Sequence, residues 1–166
     1  MSLEREVAEM PGLNSRPLFE MCADLQPNSQ HVGATPAGAR TIAIATGGTI
    51  VGERINGVVL PGGGDWMVAR LDGSLKIDVR ACLKTDDGTL IYMTYGGRLI
   101  MPPRHFAALA DRGVAATIDP SEYYFRTNPV FEAPSPSDYA WLNHVVAIGV
   151  GRITKLGVAY SVYEIM

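Results

Sequence analysis

From Ala39 onward apolar and polar residues alternate with a period of two, and glycine-rich dipeptides break the alternation at short intervals. Leu75–Thr85 is the clearest stretch. Leu75, Ile77, Val79, Ala81 and Leu83 fall on one face, and Lys76, Asp78, Arg80, Cys82 and Lys84 on the other. Thr41–Ala45 and Thr49–Val51 read as strands flanking a turn or bulge at Gly47-Gly48. Asn56-Gly57 reads as a hairpin turn between Ile50–Ile55 and Val58–Leu60, because both residues tolerate positive φ. Asp86-Asp87-Gly88 turns the chain from Leu75–Thr85 into Leu90–Tyr95. Pro17–Leu25, Asp65–Leu71, Tyr123–Thr127, Tyr139–Val150 and Leu156–Ile165 complete the predicted strands, and Gln26–Ala39 reads as a turn-rich loop. Only Pro103–Arg112 has helical spacing, with Pro at its start and Gly113 just past its end.

This pattern predicts a mainly all-β protein: a closed antiparallel β-barrel of about eight to ten strands with one short helix, closure removing the exposed sheet edges. Residues 17–166 are expected to form the single barrel domain. Residues 1–16 hold few large apolar side chains and are expected to be a flexible arm. The chain has 166 residues, of which 18 are Gly and 11 Pro, a density of turn formers that argues against a helical bundle. The net charge of −3, without a basic block, argues against a nucleic-acid partner. No apolar run reaches membrane-spanning length, so no membrane association is expected. Cys22 and Cys82 form no CxxC pair, which points to a reduced, cytoplasmic setting.

The candidate chemistry is sparse. His31, His105 and His144 are scattered over a loop, a helix and a strand, so no metal site is expected. There is no phosphate-binding loop and no nucleophile elbow, and no cofactor is implied. The run Ile42–Gly52, IAIATGGTIVG, looks like the threonine loop of bacterial asparaginases. A Gly-Gly turn between β-branched strands explains the same letters, and the second motif those enzymes need is only superficially present at Thr85–Gly88.

A stronger signal is the crowding of aromatics between Tyr123 and Trp141, with Arg126, Glu132 and Asn143 interleaved. Alternation would put Tyr124 and Arg126 on one face, and Tyr139, Trp141 and Asn143 on another. Apolar walls with a few polar groups suit a small organic ligand, but an aromatic core whose polar tips bond to neighbours uses the same residues. Asp65-Trp66 follows a glycine loop, where Asp65 could act as a general acid or base, or cap the loop amides. Asp78 and Arg80 share a strand face. They are a weak surface pair if that face meets solvent, and an anion clamp if it lines a lumen.

The segments PGGGDW (61–66), TDDGTLIY (85–92), DPSEYYFRTNPVFE (119–132), YAWLN (139–143) and VYEI (162–165) resemble, over about residues 15–166, the family called domain of unknown function 3237 or uncharacterised protein family 0311. The resemblance implies a closed barrel near the lipocalin-like and allene-oxide-cyclase-like folds, and a homodimer, but no settled chemistry. The expectation is a small aromatic or carboxylated metabolite in the lumen. Asp65 and Glu132 would be the proton-moving groups. Trp66, Asp78, Arg80, Tyr124, Arg126, Tyr139, Trp141 and Asn143 would contact the ligand. Cofactor-independent isomerisation, cyclisation, elimination or hydrolysis would suffice with such groups. The alternative is a non-catalytic carrier or sensor.

Overall fold

The computed structural model describes residues 12–166. Eleven strands follow in order: β1 (Ser15–Leu25), β2 (Gln30–Thr35), β3 (Gly38–Val51), β4 (Asn56–Val59), β5 (Gly64–Asp65), β6 (Val68–Ala69), β7 (Leu75–Thr85), β8 (Leu90–Ile100), β9 (Tyr124–Glu132), β10 (Ala147–Ile153) and β11 (Gly157–Ile165). Every pairing is antiparallel. The sheet runs β1-β11-β10-β9-β8-β7-β4-β3, and β1 pairs with β3 to close it. The short strands β4, β5 and β6 share one stave between β3 and β7, so the barrel has eight strands around its circumference.

β3 is long enough to serve two neighbours. Its second half, Ala45–Val51, pairs with β1, while Gly38–Ile42 pairs with β2. Gly47 and Gly48 lie inside this one strand, paired with Asp24 and Ala23, rather than in a turn, and a bulge falls beside them at Thr46, between the pairs of Gly47 and Ala45. A Cβ at Gly48 would stand 2.0 Å from the Cys22 carbonyl oxygen, so β1 can approach only a glycine there. The asparaginase-like letters are thus accounted for by barrel closure.

Five sequence expectations are corrected. Gln26–Ala39 contains β2, whose side chains are nearly all exposed and therefore show no apolar alternation. Asn56-Gly57 begins β4. The loop is Gly52–Ile55, closed by the Asn56 side chain, which bonds to both the amide and the carbonyl of Gly52. Tyr139–Val150 is not one strand, because Ala140–His144 is a 3₁₀ turn before β10. The helical stretch is a 3₁₀ segment, Pro103–Ala110, followed by an α-helical turn, Arg112–Ala115. It breaks at Asp111, whose carboxylate accepts the Gly113 and Val114 amides. Residues 15 and 16 of the expected arm belong to β1, and residues 1–11 lie outside the described ones.

The barrel is packed at one end and hollow at the other. Leu18, Phe19, Ile50, Ile55, Leu83, Ile91, Met93, Leu142 and Val162 are almost fully buried at the packed end, with Phe19 edge-on to Phe131 at 5.9 Å. Along β7 the inward residues go from Leu83 to Ala81, and along β3 from Ile50 to Ala45 and Ala43. Small side chains at these levels leave the barrel empty. No described helix is long and apolar enough to cross a membrane.

Candidate functional site

The hollow end encloses a cavity of about 680 Å³, within the range of small-molecule sites. Its walls are largely alanine and aliphatic, including Ala23, Ala43, Ala81, Ile77 and Val79. The loop after β1 and the helical stretch at Leu109–Ala115 cover the mouth. Arg112 fastens that cover, donating to the carbonyls of Gln26 at 3.1 Å, Leu156 at 3.2 Å and Leu25 at 3.4 Å.

Asp65 brings ionisable chemistry into this hollow. The preceding glycines let β5 run between β3 and β7: a Cβ at Gly64 would lie 2.5 Å from the Ala43 carbonyl oxygen. Asp65 pairs with Ala43 on one side and Val79 on the other. Burial pushes its carboxyl up to about 6. The Asp78 amide, donating to Asp65 Oδ1 at 2.9 Å, pulls the other way. The Asp78 carboxylate adds to the rise and Arg40 opposes it.

Two phenols share the cavity. Tyr95 and Tyr160 meet edge to face at 5.4 Å, and Phe125 packs on Tyr160 at 5.3 Å. Burial raises the pKa of both hydroxyls, and the negative charge of Asp65 adds to the rise in each. They therefore stay neutral hydrogen-bond donors near neutral pH. Nearer the mouth, His31 Nδ1 lies 3.1 Å from Thr41 Oγ1, and both residues line the wall.

Of the site residues predicted from the sequence, only Asp65 lies in the cavity wall. Trp66 is outside it, with the Arg80 guanidinium 5.6 Å from its ring. Asp78, Arg80, Tyr124, Arg126 and Glu132 occupy the outer face of β7–β9. There the buried positions of β7 are Ile77, Val79 and Ala81, so strand alternation turns the intervening charges to solvent. Tyr139 and Trp141 pack on the core from the 3₁₀ segment and its cap, with Arg54 stacked 4.0 Å over Trp141. Asn143 clamps β9 by accepting the Ala133 amide at 2.7 Å and donating to its carbonyl at 3.0 Å.

Tyr95, Tyr160, Thr41 and Arg112 were not named as candidate site residues in the sequence, and His31 was weighed there only as a metal ligand. Tyr95 and Tyr160 carried a usable signal: each is a tyrosine on an otherwise apolar strand face, among Ile91 and Met93 or beside Val162. Among the described residues no cluster of His, Cys, Asp and Glu could hold a metal, and Cys22 and Cys82 are free thiols.

The sequence model of the DUF3237 family, described as a protein of unknown function, matches residues 13–165. A UPF0311 protein of Clostridium acetobutylicum is 34% identical over 119 residues, 71% of this chain and 73% of its own length. Another, from Rhodopseudomonas palustris, is 30% identical over 94% of this chain and 99% of its own. The crystal structure of a conserved Rhodopseudomonas palustris protein of unknown function superposes with a TM-score of 0.85 at 27% identity, covering 95% of this chain and 100% of that one. A β-barrel-like protein of Acinetobacter baumannii gives 0.79 at 33%, covering 95% and 99%. An enzyme from Penicillium herquei gives 0.66 at 20% over 95% and 98%, a likeness of fold alone.

Proposed function

The chain belongs to the DUF3237 family of β-barrel proteins, a membership that supplies a barrel but no reaction, and from its own cavity we propose that it binds a small, largely apolar molecule and moves a proton on it with Asp65. The observation that carries this reading is a carboxyl near pKa 6 in the wall of an apolar cavity of about 680 Å³. A general base is most effective when its pKa lies near the working pH, and a desolvated carboxylate is a stronger base than one in water.

The ligand class shifts accordingly. Arg80 and Arg126 face outward, and Arg112, which donates to three carbonyls, is the one arginine or lysine among the described residues that lines the cavity, so the wall offers a carboxylate little positive charge. A neutral molecule carrying a carbonyl or hydroxyl fits better. Asp65 takes a proton from carbon, the electron pair moves onto the carbonyl oxygen, and a neutral tyrosine hydroxyl stabilises the resulting enolate. Return of the proton to another carbon completes an isomerisation. A cyclisation would start instead with Asp65 taking the proton of a hydroxyl: its oxygen adds to a C=C bond conjugated with the carbonyl, the electron pair moves onto the carbonyl oxygen, and the proton returns to carbon.

The test starts with a panel of neutral aromatic ketones and alcohols, screened by protein-observed NMR. Binding is expected to shift the resonances of Ala43, Ala81 and Tyr95. Bound ligands are then incubated in D2O and weighed by mass spectrometry. Deuterium incorporation that rises with an inflection near pH 6 and vanishes in Asp65→Asn supports proton transfer. Binding without incorporation would make the protein a carrier, and shifts confined to the outer surface would overturn the reading altogether.

A further inference from the structure

We propose that the outer face of β7, β8 and β9 is the contact between two copies of this chain, related by a two-fold axis that crosses the strands at the level of Tyr95. The register places residues in rows across the three strands: Cys82–Tyr92–Glu132, Arg80–Thr94–Val130, Asp78–Gly96–Asn128 and Lys76–Arg98–Arg126. The last row sets three cations directly opposite one another, an arrangement that destabilises an isolated sheet. Among the described residues none of the three has a carboxylate partner, and the exposed Glu132 has no cation. Arg126 instead donates to the Phe125 carbonyl and stacks 5.1 Å from the Tyr124 ring.

A two-fold axis lying across the strands keeps each strand over its own copy and reverses the order of the rows. Glu132 then meets the partner's Arg126, and Tyr92 meets the partner's Arg98. Arg80 meets the partner's Asp78, with which it pairs weakly within the chain at 3.3 Å. Along β8, Leu90 lies over the partner's Ile100, both about half exposed in the single chain. At the axis, Thr94 and Gly96 are small and leave a groove of about 500 Å³, and beside it the exposed Val130 of each copy lies over the partner's Asn128. One operation thus matches charge to opposite charge, cation to aromatic ring and apolar to apolar, which is the self-complementarity an isologous dimer requires. The inference is independent of what the cavity binds.

Arg126 and Glu132 are six residues apart on one strand, roughly 20 Å, so they cannot pair within a chain. Sedimentation of the purified full chain is expected to show a dimer at micromolar concentrations. Arg126→Glu and Glu132→Arg should each raise the dimer dissociation constant at least about tenfold, as the loss of a close interfacial charge pair does. The double variant, which rebuilds the pair across the interface with its signs exchanged, should return to within about threefold of the parent. Circular dichroism and melting temperature check that each variant keeps its fold. A monomeric parent, single variants that dimerise normally, or a double variant whose losses simply add would each overturn the proposal.

Discussion

Asp65 concentrates the chemistry of the molecule in one side chain. Its carboxyl holds a proton up to about pH 6 in the folded chain, whereas the unfolded chain releases it near the ordinary aspartate value of 3.8. The native state therefore binds more protons than the unfolded state between these values, and stability falls as pH rises through the window. At about 1.4 kcal/mol per pKa unit, Asp65 costs up to about 3 kcal/mol above pH 6. Asp65→Asn keeps an acceptor for the Asp78 amide but removes the charge. Denaturant titrations should show the variant gaining on the parent from pH 4 to 7, with no difference at the acid end. A pH-independent difference would mean that the carboxyl is not desolvated.

At the scale of elements, the cover over the mouth depends on the connection made by Arg112. Its guanidinium ties the helical stretch to the ends of β1 and the β10–β11 turn, where three carbonyls would otherwise lack this donor. Arg112→Ala should lower stability by about 1–2 kcal/mol, the scale of a few half-exposed hydrogen bonds. Hydrogen exchange at Ala115 and Ala116 should accelerate while β7 and β8 stay protected. Uniform acceleration would show instead that the cover does not open on its own.

β7 was legible because its pattern is local: one face buried in the barrel and one in water make the strict alternation from Leu75 to Leu83. β2 was not legible, because a strand exposed on both faces has no such signature. The Tyr139–Asn143 stretch misled because prolines at 134 and 136 and a tight turn put Leu142 into the core at helical rather than strand spacing.

The whole molecule is a barrel half filled. Where Leu83, Ile91 and Phe131 meet, the lumen is solid; where Ala43, Ala45 and Ala81 face one another, it is empty. Filling the hollow from one side tests whether it is a binding site. Ala81→Leu projects into open space, so it should cost less than the roughly 1–3 kcal/mol of overpacking a dense core. Affinity for any ligand of the cavity should fall at least about tenfold, read by calorimetry beside an unchanged melting temperature. Unchanged affinity would place the ligand elsewhere.

Period-two alternation and turn chemistry sufficed for the antiparallel class, the face assignments of β7 and the turn at Asp86–Gly88, since these depend on neighbours within a few residues. The delivery of Asp65 by a glycine-rich run could be read in the same way. Closure between β1 and β3, the meeting of Asp65 with Tyr95 and Tyr160, and the outward fate of Arg80, Arg126 and Glu132 were decided by the tertiary structure. A strand's pattern says that it has two faces, but only the curvature of the closed sheet determines which face looks into the barrel and which distant residues share a row.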